Sequence, residues 1–335
     1  MRILPRVLLV PFPVGAYGHQ IADSEQLLWN IKVRKKISNI YFFGIFLSKP
    51  ANNFHAKLIR TEIFILPKFP FLYFHRLLRR ISKTYHAVDF QIQKRGIDLY
   101  SQLLSGPPSS LALATSFHSE IDELIRYFGC IPKFALLVCR DNRYDSLNGA
   151  SIANERAFRN SDLEVFQKSI TLLNKKGYTV VRLGRHNKLR NDPLDGSVEI
   201  QDIPSANPDK LDFCIANLCE FIISTGSGPD ALGMFFRKPI YFINAPTVGF
   251  HQSRTIQMWL LKKVFSTCKN HNSLRPLNFD EAKKYLFDEQ LLRDSIMRGE
   301  IAVKSRSDDE ILEAVEMCLK HFRGELVEPL EFVKY

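Results

Sequence analysis

The sequence predicts an α/β protein built on two parallel β-sheets, and three observations carry this prediction. Short apolar runs typical of buried strands alternate with segments of helical periodicity along most of the 335 residues. Strands that are separated by helices pair in parallel, because the crossover helix returns the chain to the same end of the sheet. The pattern begins again after residues 129–133, and a chain of this length is too long for one hydrophobic core. We therefore expect two domains, residues 1–130 and 131–335, with the last helix able to pack back on the first domain.

The first half begins with the apolar run RVLLVPF at Arg6–Phe12, which predicts a buried strand followed by a glycine-containing loop at Pro13–His19. The elements expected after this loop are helix 20–36, strand 39–47, helix 52–60, strand 62–66, and helices 67–85, 88–104 and 119–127.

The loop after the first strand lies at the carboxyl end of a parallel sheet, where ligands bind in such folds. The loop residues expected at the cleft are Gly15, Tyr17 and Gly18. Histidine is the side chain most often used as a general base, so His19 is the first candidate, and Asp23 and Glu25 are the alternatives. A structural interpretation also stands, in which the two carboxylates stabilise the N-terminus of the next helix and His19 is a capping or surface residue.

The second half repeats the pattern. Its expected elements are strand 134–139, helix 162–175, strands 178–183 and 198–201, helix 209–219, strand 221–223, helix 230–236, a strand before Pro246, and several C-terminal helices, one of which contains Trp259.

The stretch Phe221–Pro246 organises this half, because it predicts a strand, a glycine turn, a helix and a second strand in close succession. The turn is Thr225-Gly226-Ser227-Gly228, and Pro229 suits the first position of the helix. Free backbone N–H groups at that helix start, beside two hydroxyl side chains, would form an anion site. The alternative is that the small residues only permit tight packing.

Arginines follow two other strands of the same predicted sheet, Arg140 after the first strand and Arg182 at the end of the second. Together with the 225–228 turn they would meet at one edge, and guanidinium groups bind phosphate with two hydrogen bonds while keeping their charge. This arrangement favours a diphosphate site. The alternative is that the arginines pair with acids such as Asp141 or Asp162 for structural reasons.

Positive charge is concentrated at the start of the chain. The net charge is +11, but residues 1–95 contain sixteen Lys and Arg against four acids, so the remainder is close to neutral. Residues 67–85 predict a basic amphipathic helix preceded by aromatic residues, which suits an anionic bilayer surface; an ordinary helix packed inward is the alternative. The residues expected to contact the membrane are Phe71, Phe74, Arg76, Arg79, Arg80 and Lys83.

The six cysteines form no CxxC pair, which favours reduced thiols in the cytoplasm over disulfides or a zinc site. No apolar run is long enough to span a bilayer, and the first twelve residues do not resemble a secretory signal. We therefore expect a cytoplasmic protein.

Four segments of the second half resemble a family of bacterial glycosyltransferases of the GT-B type. They are VCRDNRYDS (138–146), FRNSDLEVF (158–166), GYTVVRLG (177–184) and DFCIANLCEFIISTGSG (212–228). In the first half, VGAYGHQIADSEQLL (14–28) is similar to the family's IGHLxxExExxL segment. Two positions depart from the family pattern: Cys139 stands where the family has a histidine, and Gln20 where it has a leucine after Gly-His.

The resemblance implies two Rossmann-like domains that face each other across a cleft, with the nucleotide-sugar on the second and the acceptor on the first. The donor-binding residues that it implies are Arg140, Asp141, Arg159, Arg182, Gly184, Thr225, Gly226, Ser227 and Gly228. The expected activity is transfer of a sugar from a nucleotide-diphosphate sugar to a cell-surface polysaccharide or lipid-linked acceptor, at an anionic membrane surface. GT-B-type enzymes use helix dipoles and cations in place of a metal, so we expect neither metal nor cofactor.

Two other functions remain open. A sugar-nucleotide epimerase of the same architecture would need no acceptor. A nucleic-acid-binding protein could use the basic first half, but the sequence contains no RNP-like, KH-like or helix-turn-helix signature, and we expect no nucleic-acid partner.

Overall fold

The computed structural model describes residues 6–37, 40–81, 116–140, 156–184, 194–248, 256–268 and 273–325. Several sequence predictions fall outside these residues: Asp141, Lys83 and the helix at 88–104. The side chains of Phe74 and Arg79 are also outside the described part of the chain, although their backbone belongs to a helix.

The first half forms a parallel sheet with the order β1-β2-β3 in its described residues, which confirms its three predicted strands. The strands are β1 (Arg6–Phe12), β2 (Ile40–Phe46) and β3 (Ile65–Leu66). The helices are α1 (Ser24–Ile37), which continues a π-helical turn at His19–Asp23, α2 (Asn53–Glu62), α3 (Lys68–Ile81) and α4 (His118–Phe128).

The second half forms a six-stranded parallel sheet within the described ranges, with the order β6-β5-β4-β7-β8-β9. Its strands are β4 (Lys133–Val138), β5 (Tyr178–Arg182), β6 (Ser197–Glu199), β7 (Phe221–Ser224), β8 (Ile240–Ala245) and β9 (Ile256–Leu261). The connecting helices are α5 (Gln167–Lys175), α6 (Pro208–Leu218) and the short α7 (Ala231–Phe236). The α/β class with parallel sheets is therefore confirmed.

The segment around Trp259 corrects a prediction. It is strand β9, the edge of the six-stranded sheet, and not a helix. The chain then forms a small antiparallel sheet, order β11-β10-β12, which the sequence analysis did not predict. Its strands are β10 (Lys263–Cys268), β11 (Ser273–Pro276) and β12 (Ile301–Lys304), with α8 (Phe279–Leu286) and α9 (Glu289–Met297) between the last two. The run IQMWLLKKVFSTC has no helix caps, so strand pairing decides its structure: β9 pairs with β8, and β10 pairs with β11 and β12.

The large sheet is covered on both faces, as strands with almost no exposed residues require. One face packs against α6, α7 and the core of the first half in a continuous apolar cluster. The other face packs against α5 and the last described helix, α10 (Asp308–Phe322). The buried residues of α10 therefore pack on the second sheet.

The two halves are joined by hydrogen bonds at the N-termini of α2 and α6. Asn52 caps α2 by accepting from the His55 amide at 2.7 Å, and its own side chain donates to the Asp209 carbonyl at 3.0 Å. The Asp209 carboxylate accepts from the Asn53 amide at 2.8 Å, and Gln20 exchanges two hydrogen bonds with the Asn52 backbone at 2.6 and 2.7 Å. These contacts tie the start of α2 and the segment after the β1 loop to the N-terminus of α6.

Candidate active site

His19 and Asp23 form a hydrogen-bonded pair at the start of the first helical segment. They lie on one turn of the π-helical segment, and His19 Nδ1 is 2.7 Å from Asp23 Oδ2. The Asp23 side chain is 1% exposed, whereas that of His19 is 60% exposed. A carboxylate only accepts, so Nδ1 carries the proton of this bond and Nε2 is the nitrogen available to a substrate. A buried carboxylate therefore orients an exposed imidazole.

Glu25, the other candidate base, forms an ion pair with Arg237. Its carboxylate is 3% exposed and accepts from both terminal nitrogens of Arg237, at 2.9 and 3.3 Å. Arg237 ends α7 in the left-handed conformation, with φ of 58°. Tyr17 has a similar structural bond, because its hydroxyl donates to the Asp212 carboxylate on α6 at 3.1 Å. Both side chains therefore tie the first half to the second, and we no longer assign Glu25 a role as base.

The loop after β7 is held together by a carboxylate that the sequence analysis did not select. Asp230 Oδ2 accepts from the Ser227 amide at 2.9 Å and from the Ser224 hydroxyl at 3.1 Å. The Ser224 oxygen accepts from the Gly226 amide at 3.0 Å, and the Thr225 amide donates to the Val138 carbonyl at 3.0 Å. The amides of residues 225–227 therefore bond within the protein, and an anion site at the helix start, as expected from the sequence, would not use these three donors.

Asp230 could have been found from the spacing Ser227-x-x-Asp230, which is a capping-box pattern at the start of a helix. Burial raises the pKa of the Asp230 carboxyl to about 6. The hydrogen bonds from Ser227 and Ser224 and the nearby charge of Arg159 act in the opposite direction and lower this pKa. Gly226 adopts φ of +87°, which favours glycine at this turn.

Gly18 and Gly228 bring the two loops into backbone contact. A Cβ atom built on Gly18 would lie 2.9 Å from the Gly228 Cα atom, and one built on Gly228 would lie 3.0 Å from the Gly18 nitrogen. Neither position has space for a side chain without movement of the opposite backbone. His19, the next residue, is therefore beside the loop after β7.

Two of the three predicted arginines meet at this loop. The Arg140 amide donates to Thr225 Oγ1 at 3.0 Å, and its Nε donates to Asn160 Oδ1 at 3.1 Å. Arg159 reaches the same loop, with Nη2 3.4 Å from the Gly226 carbonyl. Its side chain is 26% exposed, whereas Arg140 is buried at 6%. Arg159 is the more accessible cation of the pair.

Arg182 does not join them. Its Nη1 donates to the Glu199 carboxylate on β6 at 3.1 Å, and both side chains are 5% exposed. The alternative of structural pairing therefore holds for this arginine, with Glu199 as the acid. Gly184, just after β5, has φ of 139°, and the chain after it lies outside the described ranges. Neither residue is brought to the Gly226 loop by a described contact.

Helix α3 has one mixed face that is exposed to solvent. The exposed side chains Tyr73, Arg76, Leu77 and Arg80 follow helical spacing, and Phe69 before them is 74% exposed. Phe71 is only partly exposed. Aromatic and basic side chains thus share one face here.

Within the described ranges, no group of three or more His, Cys, Asp and Glu side chains could hold a metal ion. The helices in the same ranges include none that is long and apolar enough to cross a membrane. Of the cysteines whose side chains are described, Cys139, Cys214, Cys219 and Cys318 are buried thiols and Cys130 is exposed.

No protein-family model matches the sequence, and no curated protein matches it significantly. Among solved structures, the glycosyl transferase of family 9 from Veillonella parvula DSM 2008 matches with a TM-score of 0.52 and 14% identity, over 96% of this chain and 99% of that protein. The fold is similar to that of a family 9 glycosyltransferase. The similarity is one of fold, and it confirms the GT-B-like class.

Two further structures match over most of this chain. The ADP-heptose LPS heptosyltransferase II of E. coli matches with a TM-score of 0.49 and 10% identity, over 96% of this chain and 100% of that protein. The iron-containing dodecameric glycosyltransferase TibC from enterotoxigenic E. coli H10407 matches with a TM-score of 0.44 and 11% identity, over 98% and 78%.

Proposed function

We propose that the protein is a glycosyltransferase that moves a sugar from a nucleotide-diphosphate sugar to a glycan or lipid-linked acceptor. The observation that carries the proposal is the contact of Gly18 with Gly228. This contact places the imidazole of His19, which Asp23 orients, beside the Gly226–Gly228 loop, and Arg140 and Arg159 approach the same loop. A general base and a phosphate-binding cation at facing loops are the two parts that such a transfer needs. The fold similarity supports the same class.

In this proposal the first domain, residues 1–130, binds the acceptor, and the second, residues 131–335, binds the donor. The donor diphosphate contacts Arg159 at the Gly226–Gly228 loop, and Arg140 adds positive charge behind it. Because the amides at 225–227 are occupied by internal bonds, we assign phosphate binding to the guanidinium groups and not to the backbone.

In a transfer with inversion, His19 Nε2 takes the proton of the acceptor hydroxyl as its oxygen attacks the anomeric carbon of the donor. The bond from that carbon to the phosphate oxygen breaks, and the nucleoside diphosphate leaves with both electrons. Asp23 keeps Nδ1 protonated and stabilises the imidazolium that forms. The arginines offset the charge of the leaving group, so we propose a reaction that needs no metal.

We also propose that the basic first half binds an anionic membrane that carries the acceptor. The support is the exposed face of α3, where Tyr73, Arg76 and Arg80 lie together, and the charge of residues 1–95. Aromatic side chains insert at a bilayer interface while arginines attract anionic head groups.

The test is a thermal-shift panel of nucleotide-sugars, followed by a transfer assay with the donor that stabilises the protein. Stabilisation by one nucleotide-sugar supports an enzyme of this class, and product formation that depends on a glycan acceptor supports a transferase. A modified sugar released without acceptor would identify an epimerase. No stabilisation by any nucleotide-sugar would contradict the proposal.

A further inference from the structure

Lys262 places a buried ammonium group behind the candidate donor site. It follows β9 directly, its amide donates to the Ala245 carbonyl at 2.8 Å, and the residue is 3% exposed. An ammonium group that is removed from water is costly unless hydrogen bonds replace its hydration. The positions that accept those bonds therefore indicate what the lysine holds.

The ammonium group holds the main chain on both sides of Arg159. Lys262 Nζ donates to the Phe158 carbonyl at 3.2 Å and, over a short distance, to the Asn160 carbonyl. These two residues flank Arg159, whose guanidinium reaches the Gly226 carbonyl. The lysine that follows β9 thus hydrogen-bonds the backbone on both sides of Arg159.

The same segment also determines the position of Arg140. Asn160 Oδ1 accepts from Arg140 Nε at 3.1 Å, and the Ser161 amide donates to the Arg140 carbonyl at 2.8 Å. A shift of residues 158–161 would therefore displace both guanidinium groups together.

A second contact supports the segment from the neighbouring strand β8. Asn244, in the left-handed conformation with φ of 59°, donates from Nδ2 to Ser161 Oγ at 3.1 Å and accepts the Arg306 amide at 3.0 Å. Arg306 Nε in turn donates to the Leu261 carbonyl, next to Lys262, at 2.8 Å. The ends of β8 and β9 and the start of α10 thus form one polar network under residues 158–161.

We propose that Lys262 is a positioning residue for the nucleotide-sugar donor, which holds Arg159 and Arg140 in the geometry that binds the diphosphate. This inference rests on the proposed function of the Gly226–Gly228 loop as the donor site. Lys262 is buried beneath the segment, so it acts through the arginines and not by contact with the donor.

The test compares Lys262→Met with Lys263→Met. Lys263 is the next residue, its side chain is 40% exposed, and it pairs with Glu310 at 2.8 Å, which makes it a matched control. In K262M we expect faster amide hydrogen exchange in residues 158–161 and a donor KM raised by on the order of tenfold to a hundredfold. We expect kcat to fall as well but by less, because the displaced arginines also offset the charge of the leaving group whereas the base His19 is untouched. K263M should show neither effect.

Unchanged exchange and unchanged donor KM in K262M would overturn the inference, as would an equal loss in K263M. If K262M does not fold, Lys262→Gln takes its place, since it removes the charge but keeps N–H donors. We expect K262Q to show smaller increases in the exchange rate of residues 158–161 and in the donor KM. If the wild-type protein binds no nucleotide-sugar, the proposed function fails, whereas the exchange experiment still decides whether Lys262 holds the segment.

Discussion

His19 Nδ1 lies 2.7 Å from Asp23 Oδ2, and this bond joins the exposed imidazole of the first half to a carboxylate that is almost completely buried. Because the carboxylate can only accept, the bond places the proton on Nδ1 and leaves Nε2 for the acceptor hydroxyl in the proposed reaction. In that proposal Asp23 also gives the imidazolium a counter-charge.

Removal of the imidazole should therefore abolish most of the transfer activity. We expect His19→Ala to lower kcat by at least about 100-fold, the usual contribution of a general base. Asp23→Asn should cost about 10- to 100-fold, since a hydrogen bond to a charged group contributes about 1.5–3 kcal/mol. The measurement is steady-state transfer kinetics, with the exposed His118→Ala as control. Near-normal turnover of His19→Ala would remove this residue from the role of base.

Arg159 should be the main cation for the donor diphosphate, because it is the more exposed of the two arginines near Gly226. We expect Arg159→Met to weaken donor binding about 10- to 100-fold through loss of charge-assisted hydrogen bonds. Isothermal titration with the nucleotide-sugar or nucleoside diphosphate measures the change. Arg156→Met, an exposed arginine three residues earlier, is the control and should bind normally. Equal affinities of the two variants would refute the assignment.

The buried ion pair of Glu25 and Arg237 should stabilise the contact between the halves. Glu25→Gln leaves a guanidinium buried beside a neutral amide, and removal of one partner of a buried pair costs roughly 3–5 kcal/mol in the free energy of unfolding. Urea denaturation measures this cost, and the double variant Glu25→Gln/Arg237→Gln should lose less than the two single variants together. Asp280→Asn, which breaks the exposed pair with Lys283, should cause no measurable change. A stable Glu25→Gln protein would show that the pair is not structural.

His55 should make the stability of the protein sensitive to acid. Its ring is fully buried, stacks on Phe213 with 5.5 Å between ring centroids and has no hydrogen-bond partner at either nitrogen. Burial lowers its pKa to about 3, and no charged group contributes to this shift. The two acids of α6 are bonded elsewhere, Asp209 to Asn53 and Asp212 to Tyr17.

The direction of this pH dependence follows from proton binding in the folded and unfolded states. Between about pH 6.5 and 3 the unfolded chain binds a proton at this histidine and the folded protein does not, so stability is lost as the pH falls below about 6.5. The loss is about 1.4 kcal/mol per pH unit. His55→Phe, which keeps the stacking on Phe213, should reduce this slope in urea denaturation at pH 7, 6 and 5. The exposed His118→Gln should retain it. An identical slope in His55→Phe would show that another group is responsible.

The exposed basic face of α3 should govern membrane binding. Each arginine near an anionic surface contributes about 1 kcal/mol, so Arg76→Gln/Arg80→Gln should bind vesicles that contain phosphatidylserine roughly 30-fold more weakly. The control is Lys175→Gln/Lys176→Gln, two exposed lysines in the second half. Vesicle sedimentation at low and moderate salt measures the difference. Unchanged binding of the α3 variant would refute a membrane role for this helix.

Helix and strand prediction succeeded where local patterns were strong. Runs such as RVLLVPF and FALLVC are too apolar for an exposed segment and too short for a buried helix, so they identified β1 and β4. Prediction failed at Trp259, because an apolar run next to a sheet edge has no local signal that separates a helix from a strand. The third, antiparallel sheet was also missed: β10 and β11 pair as neighbours in sequence, whereas β12 reaches β10 from far along the chain.

The sequence by itself determined the α/β class, the positions of most strands and the two loops where polar residues gather, since periodicity, glycine and helix caps are local properties. The tertiary structure alone decided which of those polar groups are accessible. It paired Arg182 with Glu199 and Glu25 with Arg237, bonded the Ser227 amide to Asp230, and placed Lys262 under Arg159. These pairings join residues as many as 212 positions apart, and a buried charge takes whichever partner the packing brings to it.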